Sequence, residues 1–317
     1  MWLGNQNVAY ILTQGDGVGA APANWQQTVN KRIFSDVDAA TSFDRSLRAY
    51  IRSTSNGRAD LGGQIFGPIT VDPGVDGSGN TNWVHAMNLA ITATGQAGEL
   101  ANFMYACVIF SGNPGPAAHA WWNLPIGNFY PGSSIVGCCY VNTPDALGAY
   151  AMEHIHMIAA FSDLYGIPDS PGRFDEMDCA CGVHPSSYTK SQLQWLPKTE
   201  VTSVPGNATG ITSVIQALSE PVQPGHFHAI RIDTPDPKVY LLIEARLRLD
   251  PYETGTHAVS SGYPQRGSLF IGLTKTHGPL FTFWQADLIR RETHMSSLSR
   301  AFELRSQRGL EQQFTSR

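Results

Sequence analysis

The stretch 150-YAMEHIHMIAAFSDLYG-166 holds the densest chemistry in the chain and decides how the rest is read. Leu147, Met152 and Ile155 recur at helical spacing behind Pro144, so a helix is expected from Asp145 to Ala160. Hydrolysis by a metal-activated water needs two histidines one turn apart, so that both rings reach one ion. It also needs a glutamate beside the first histidine to take a proton from the water. Glu153 and His156 hold the positions of that glutamate and of the second histidine, while Met152 stands where the first is required. A thioether is a poor zinc donor beside imidazole and carboxylate. Asp163, seven residues beyond His156, offers an outer ligand. His154 lies only two residues from His156, which directs it to a different helix face.

Three assignments stay open. Glu153 is the base, with His156 and Asp163 as ligands; or Glu153 is itself a ligand, with His156 and either Asp163 or His184; or His154 and His156 are structural, hydrogen-bonded histidines beside a cleft.

Upstream of this helix, Val8 to Thr13, Ala59 to Ile69, Phe103 to Ser111 and Ile135 to Val141 read as strands. Ser42 to Thr54 and Trp83 to Ile91 read as helices, the second open to extension through Leu100, and Ala23 to Arg32 as a turn or short helix. Pro168 to Gly182 is irregular, and Ser186 to Leu196 is helical. From about residue 200 the character changes. Short runs at 201–204, 211–218, 226–232, 239–245 and 269–273 are separated by Pro-Gly and Pro-Asp turns, and some alternate in polarity. A polar terminal helix is expected from Ser297 to Gln312. The organisation expected is therefore a catalytic region over 1–198 with an α+β fold, a mixed sheet carrying the active-site helix, and a β-rich region over 199–317 packed on it.

Composition limits the alternatives. The chain has 317 residues, 42% hydrophobic, 15% charged, with a net charge of -5. It carries no nucleic-acid footprint and no apolar run long enough for a membrane span. The opening MWLGNQNVAYILTQ lacks a basic n-region and reads as a first strand. The Trp-, Gly- and Asn-rich composition fits a secreted protein whose leader has been removed. Asn207-Ala208-Thr209 is a glycosylation sequon in a eukaryotic secreted context. The five cysteines are Cys107, Cys138, Cys139, Cys179 and Cys181. In an oxidising compartment one cross-link between the 138/139 and 179/181 pairs would staple the walls of a cleft; in a reducing one all five are free thiols.

Downstream of the helix come 163-DLYG-166 and 174-FDEMDCACGVHPSSYTKSQLQWL-196. Together these segments resemble the secreted zinc peptidases of the immune-inhibitor type within the metzincin group. Those carry a zinc-binding helix, an Asp-Leu-Tyr segment and a Met-containing turn beneath the metal. Further likenesses lie in 45-RSLRAYIRSTSNGRADLGGQIFGP-68, 240-YLLIEARLRLDPYE-253 and 262-GYPQRGSLFIG-272. The resemblance implies a metzincin-like fold, a zinc cofactor, and Met177 at the Met-turn below His156. The family spacing from the second histidine to the aspartate is one residue shorter than from His156 to Asp163. Anchoring on Asp163 instead sets Glu153 and Met157 at the histidine positions and His154 at the glutamate position. A one-residue helical bulge would reconcile the two registers.

The function this implies is a zinc-dependent endopeptidase acting on proteins or peptides, with Glu153 as the base. The alternative is an inactive relative that binds a protein or glycan through the retained cleft, and a third reading is a structural protein with a bound cation. Trp121, Trp122 and Tyr165 are candidates for the substrate cleft, although the two tryptophans equally suit a small core. His184 suits either a ligand or a loop-fixing hydrogen bond. Glu176 and Asp178 suit the orientation of loop amides or the binding of a cation. Glu244, Arg246 and Asp250 are expected to form a charged seam between the two halves.

Overall fold

The computed structural model describes residues 1–15, 17–35, 45–112, 118–143, 145–166, 171–208, 213–236, 239–246 and 252, with the backbone of 268–275, 284–287 and 302–303. The first sheet is built from β1 (Gly4–Gln14), β2 (Ala59–Thr70), β3 (Tyr105–Phe110), β4 (His119–Trp121) and β5 (Gly137–Asn142). Its order is β2-β1-β3-β5-β4. β1, β2, β3 and β5 run parallel, and β4 is antiparallel to β5 at the edge. Parallel strands require crossovers, and these place helices on both faces. That is why the apolar runs at 8–13, 105–110 and 137–142 are continuous rather than alternating.

The period of two along a strand sorts these runs into two cores. Val8, Tyr10, Leu12, Cys107, Ile109, Cys139 and Val141 face α1 (Trp25–Phe34), α2 (Leu47–Thr54) and α4 (Leu147–Ala159). Ala9, Ile11, Ala106, Val108, Phe110, Cys138 and Tyr140 face α3 (Trp83–Gln96). Cys138 and Cys139 therefore point to opposite sides of one buried strand. The expected cross-link to the 179/181 pair does not form: Cys179 is bonded to Cys181, and Cys107, Cys138 and Cys139 are free and buried.

The helix expected from Ser42 starts at Leu47, because the Ser46 side chain accepts the Ala49 N–H and caps it; residues 42–44 lie outside the described residues. The irregular 168–182 segment contains α5 (Glu176–Cys179), followed by α6 (Ser187–Leu193). A second sheet begins at β6 (Val201–Pro205). It has the order β11-β10-β9-β8-β6, with β8 (Ala229–Asp233), β9 (Val239–Arg246), β10 (Ser268–Lys275) and β11 (Trp284–Asp287). Of the run at 211–218, residues 211 and 212 lie outside the described residues, and the rest contains β7 (Val214–Ile215), which pairs with β12 (Phe302–Glu303). The terminal helix expected over 297–312 is not supported where it is described, since Phe302 and Glu303 are strand, held by that pairing. The chain is thus a mixed α/β fold with two sheets and several helices, and no helix among the described residues is long and apolar enough to cross a membrane.

The charged seam joins the second sheet to the 174–187 segment. Arg246 Nε donates to Glu244 Oε1 at 2.7 Å, and its terminal nitrogens reach the carbonyls of His184 at 3.0 Å and Phe174 at 2.9 Å. Glu244 in turn accepts the Ser187 N–H. Asp250, the third residue expected in the seam, lies outside the described residues. Both Glu244 and Arg246 are buried, so removing one leaves an uncompensated charge. Arg246→Ala is expected to destabilise the chain by about 3–5 kcal/mol, measured as a shift of the denaturant midpoint. Replacing Glu244 and Arg246 together with apolar residues is expected to recover most of that loss.

Candidate active site

α4 is buried along nearly its whole length and presents different chemistry on its two sides. Gly148 lets its first turn approach the 180–181 backbone; a Cβ there would sit 1.9 Å from the Ala180 carbonyl oxygen. The helix is regular to Ala159 and ends at Ala160, which adopts a left-handed conformation with φ 55° while its N–H reaches the His156 carbonyl. No bulge interrupts the helix before this turn. An alanine held there costs about 1 kcal/mol relative to glycine. The turn folds residues 161–163 back over the helix end.

Three acidic or basic side chains meet on this side. His156 Nε2 lies 2.8 Å from Asp163 Oδ1, and His156 Nδ1 bonds the Phe161 carbonyl. A carbonyl only accepts, so Nδ1 carries the proton. Nε2 then either carries a second proton, making an ion pair with Asp163, or offers its lone pair to a cation shared with that carboxylate. A ring nitrogen tied to a backbone carbonyl is the arrangement that orients a metal-ligating histidine. Burial alone would lower the His156 pKa, but its hydrogen bonds to Asp163 and Phe161 and the nearby negative charges outweigh burial and raise it. Burial would likewise raise the Asp163 pKa, yet His156 holds it below the usual carboxylate range. Tyr165, largely exposed, lies beside Asp163, and the carboxylate raises its pKa.

Glu153 lies one turn earlier and is only 7% exposed. Its Oε2 is buried without a hydrogen-bond partner. Burial, reinforced by the charges of Asp163 and Asp145 and opposed by His156, pushes its carboxyl up to about 7. Glu153, His156, Asp163 and Tyr165 line one cleft of about 280 Å³ together with His119, Trp121 and Trp122. Trp122 stacks on His156 with centroids 5.9 Å apart. A larger groove of about 890 Å³ lies at the β2 edge. Its charged residues, Arg48 and Asp60, pair with each other at 2.9 Å, so it offers no free ionisable group for chemistry.

Of the residues singled out from the sequence, Glu153, His156, Asp163, Trp121, Trp122 and Tyr165 come together. His154 and His184 do not join them. His154 points into the core, with Nδ1 on the Tyr150 carbonyl at 2.7 Å and burial lowering its pKa to about 4. His184 is buried near the seam and accepts from Lys190 at 3.0 Å. Met152 is core. Met177 is fully buried in the cluster that holds Ile155 and Leu164, and its carbonyl accepts the Leu164 N–H at 2.8 Å. α5 thereby braces the segment that presents Asp163. Glu176 accepts the Val183 N–H and Asp178 the Gly172 N–H, so both orient loop amides.

His119 was missed by the sequence reading. It sits on β4, a strand of three residues, and senses the charges of His156 and Asp163; burial first, and then His156, lower its pKa. Its only sequence signal is its alternation with Trp121 at the start of the aromatic stretch. No protein-family model matches this chain, and no curated protein matches it.

The buried Glu153 carboxyl has a consequence for stability. Between pH of about 4.5 and 7 the folded chain holds a proton that the unfolded chain has released, so this group's contribution to stability falls as pH rises through that window. Glu153→Gln is expected to match wild type near pH 4 and to exceed it above pH 7, by at most about 3 kcal/mol. Denaturant titrations at the two pH values, in the presence of a chelator, measure the difference.

Proposed function

We propose that the chain is a zinc-dependent peptidase of metzincin-like type, with Glu153 as its general base. The observation that carries this reading is the unpartnered, buried Glu153 carboxyl facing the same cleft as the His156–Asp163 pair. The donor set suits a zinc ion: His156 Nε2 and an Asp163 oxygen already converge, and His156 is oriented through Nδ1. His119, which lines the same cleft and feels the charges of His156 and Asp163, is the histidine available to stand in for the one that the helix lacks at Met152. When bound, the ion supplies positive charge that acidifies a water and polarises the scissile carbonyl.

Glu153 takes the proton of the attacking water and returns it to the leaving amine. A carboxyl near 7 is matched to both transfers at neutral pH. Tyr165 stands beside the Asp163 carboxylate in the same cleft. Trp122 covers one face of the His156 ring and keeps water from it. Among the described residues β4 is an edge strand of its sheet and lines the cleft, and an extended peptide can add to that edge through main-chain hydrogen bonds. This supports a peptide or protein as substrate.

A second reading, a cleft that binds a protein or glycan without cleaving it, is favoured by one observation. His156 and Asp163 satisfy each other directly at 2.8 Å, so their pairing is complete without an ion. Metal analysis combined with a peptide library separates the two readings. The peptidase reading expects chelator-sensitive cleavage, and cleft zinc that is lost in His156→Ala, Asp163→Asn and His119→Ala. It expects Glu153→Gln to retain that zinc while cleavage falls by a factor of about 10² or more. A folded chain that cleaves nothing in the library and takes up no zinc at His156 would leave the binding reading standing.

A further inference from the structure

We propose a second metal site, separate from the cleft: a buried structural zinc held by Cys107, Cys139 and His154. Cys107 on β3 and Cys139 on β5 are direct partners in the parallel register. Their sulfurs and a ring nitrogen of His154 all lie within 4.8 Å of one another, and all three residues are fully buried. Donors from two strands and a helix thus converge in the core between the sheet and α4.

The second observation is the state of His154. Its Nδ1 donates to the Tyr150 carbonyl at 2.7 Å, which fixes the tautomer and leaves the lone pair on Nε2. Nε2 is buried with no hydrogen-bond partner. Leaving such an atom unmatched in an apolar core is unfavourable, because the water it bonded in the unfolded chain is not replaced. Tyr10 adds to the anomaly. Its ring stacks on His154 with centroids 5.7 Å apart, and its hydroxyl is also buried without a partner. Tyr10 also pairs with Cys107 across the β1–β3 register, so its side chain borders the cluster.

The donors select the ion. Two thiolates and one imidazole suit zinc or copper(I) and exclude calcium and magnesium, which take oxygen ligands. Charge separates the two that remain. Two thiolates around a divalent zinc sum to zero, whereas copper(I) leaves a net negative charge inside the apolar cluster that contains all three residues. Binding releases the two thiol protons to solvent and involves no change of oxidation state. A site with no exposed ligand is filled as the chain folds, so its zinc adds to folding stability and stays inaccessible to chelators in the native state.

The test uses the full chain, folded in the presence of zinc, treated natively with EDTA and desalted. Cleft zinc is stripped by this treatment and core zinc is retained, so the two sites are distinguished even if the cleft binds nothing. X-ray absorption on the retained zinc is expected to show two sulfur scatterers at about 2.3 Å. Protein refolded with cobalt(II) is expected to show thiolate-to-cobalt charge-transfer absorption. That absorption should persist in His156→Ala and disappear in Cys107→Ser and Cys139→Ser. Should the cysteine variants fail to fold, the wild-type spectrum still decides. A folded wild-type chain with no sulfur-ligated metal, with copper in its place, or with Cys107 and Cys139 joined as a disulfide overturns the proposal.

Discussion

The Asp175 carboxylate is the point on which the middle of the molecule depends. It is fully buried and accepts hydrogen bonds from the Met177 N–H at 2.9 Å, the Ser186 N–H at 3.0 Å and the hydroxyls of Ser186 and Thr189. One side chain therefore caps α5, holds the start of α6 and closes the intervening loop. Burial raises its pKa despite these bonds, which marks how far it is from solvent. The segment it fixes is used from two directions. Met177 receives Leu164, and with it the strand of chain that presents Asp163. Phe174, His184 and Ser187 receive Arg246 and Glu244 from the second sheet. Loosening Asp175 would release the cleft floor and the seam together.

α4 resolves a different conflict. Glu153 and His154 are consecutive, yet one faces a cleft and the other the core. Residues one apart on a helix diverge by about 100°, so a single buried helix can serve a wet site and a dry one. The same geometry excludes His154 from the cleft, whichever register is used to match the zinc helix. Ionisation follows the surroundings. Burial pushes Glu153 up to about 7 against the pull of His156, while His154, stacked against Tyr10 in a desolvated layer, is neutral at neutral pH.

Much of the first sheet was legible because continuous apolar runs have a simple cause, burial on both faces, and the four parallel strands were all anticipated within a few residues. The seam was legible in the alternation of Glu244 and Arg246 with apolar neighbours. Glu153, His156 and Asp163 were legible because helical spacing and a short return loop are local properties. His119 was not, because a strand of three residues is too short for periodicity to register. The Cys107–Cys139–His154 cluster was not legible either. It depends on the order in which parallel strands are laid side by side, and strand order leaves no mark on local spacing. The cysteine pairing failed for a related reason: adjacency in sequence suggested that Cys138 and Cys139 act together, whereas a strand places neighbours on opposite faces.

In the proposed peptidase, moving a ligand from the helix to β4 has a physical consequence. A histidine on a fully buried helix is held by packing that substrate does not touch. His119 instead sits on the edge strand whose free side would receive the peptide, in a cleft wall it shares with Trp121. A peptide added to β4 would order the strand and the ligand in one event, so zinc affinity and substrate affinity would rise together. By linkage the increase must be equal in both directions. A site built from two helix histidines has no such coupling through its ligands. Replacing the first by Met152 therefore need not abolish the chemistry: it transfers part of the metal's support from the core to the surface where substrate binds.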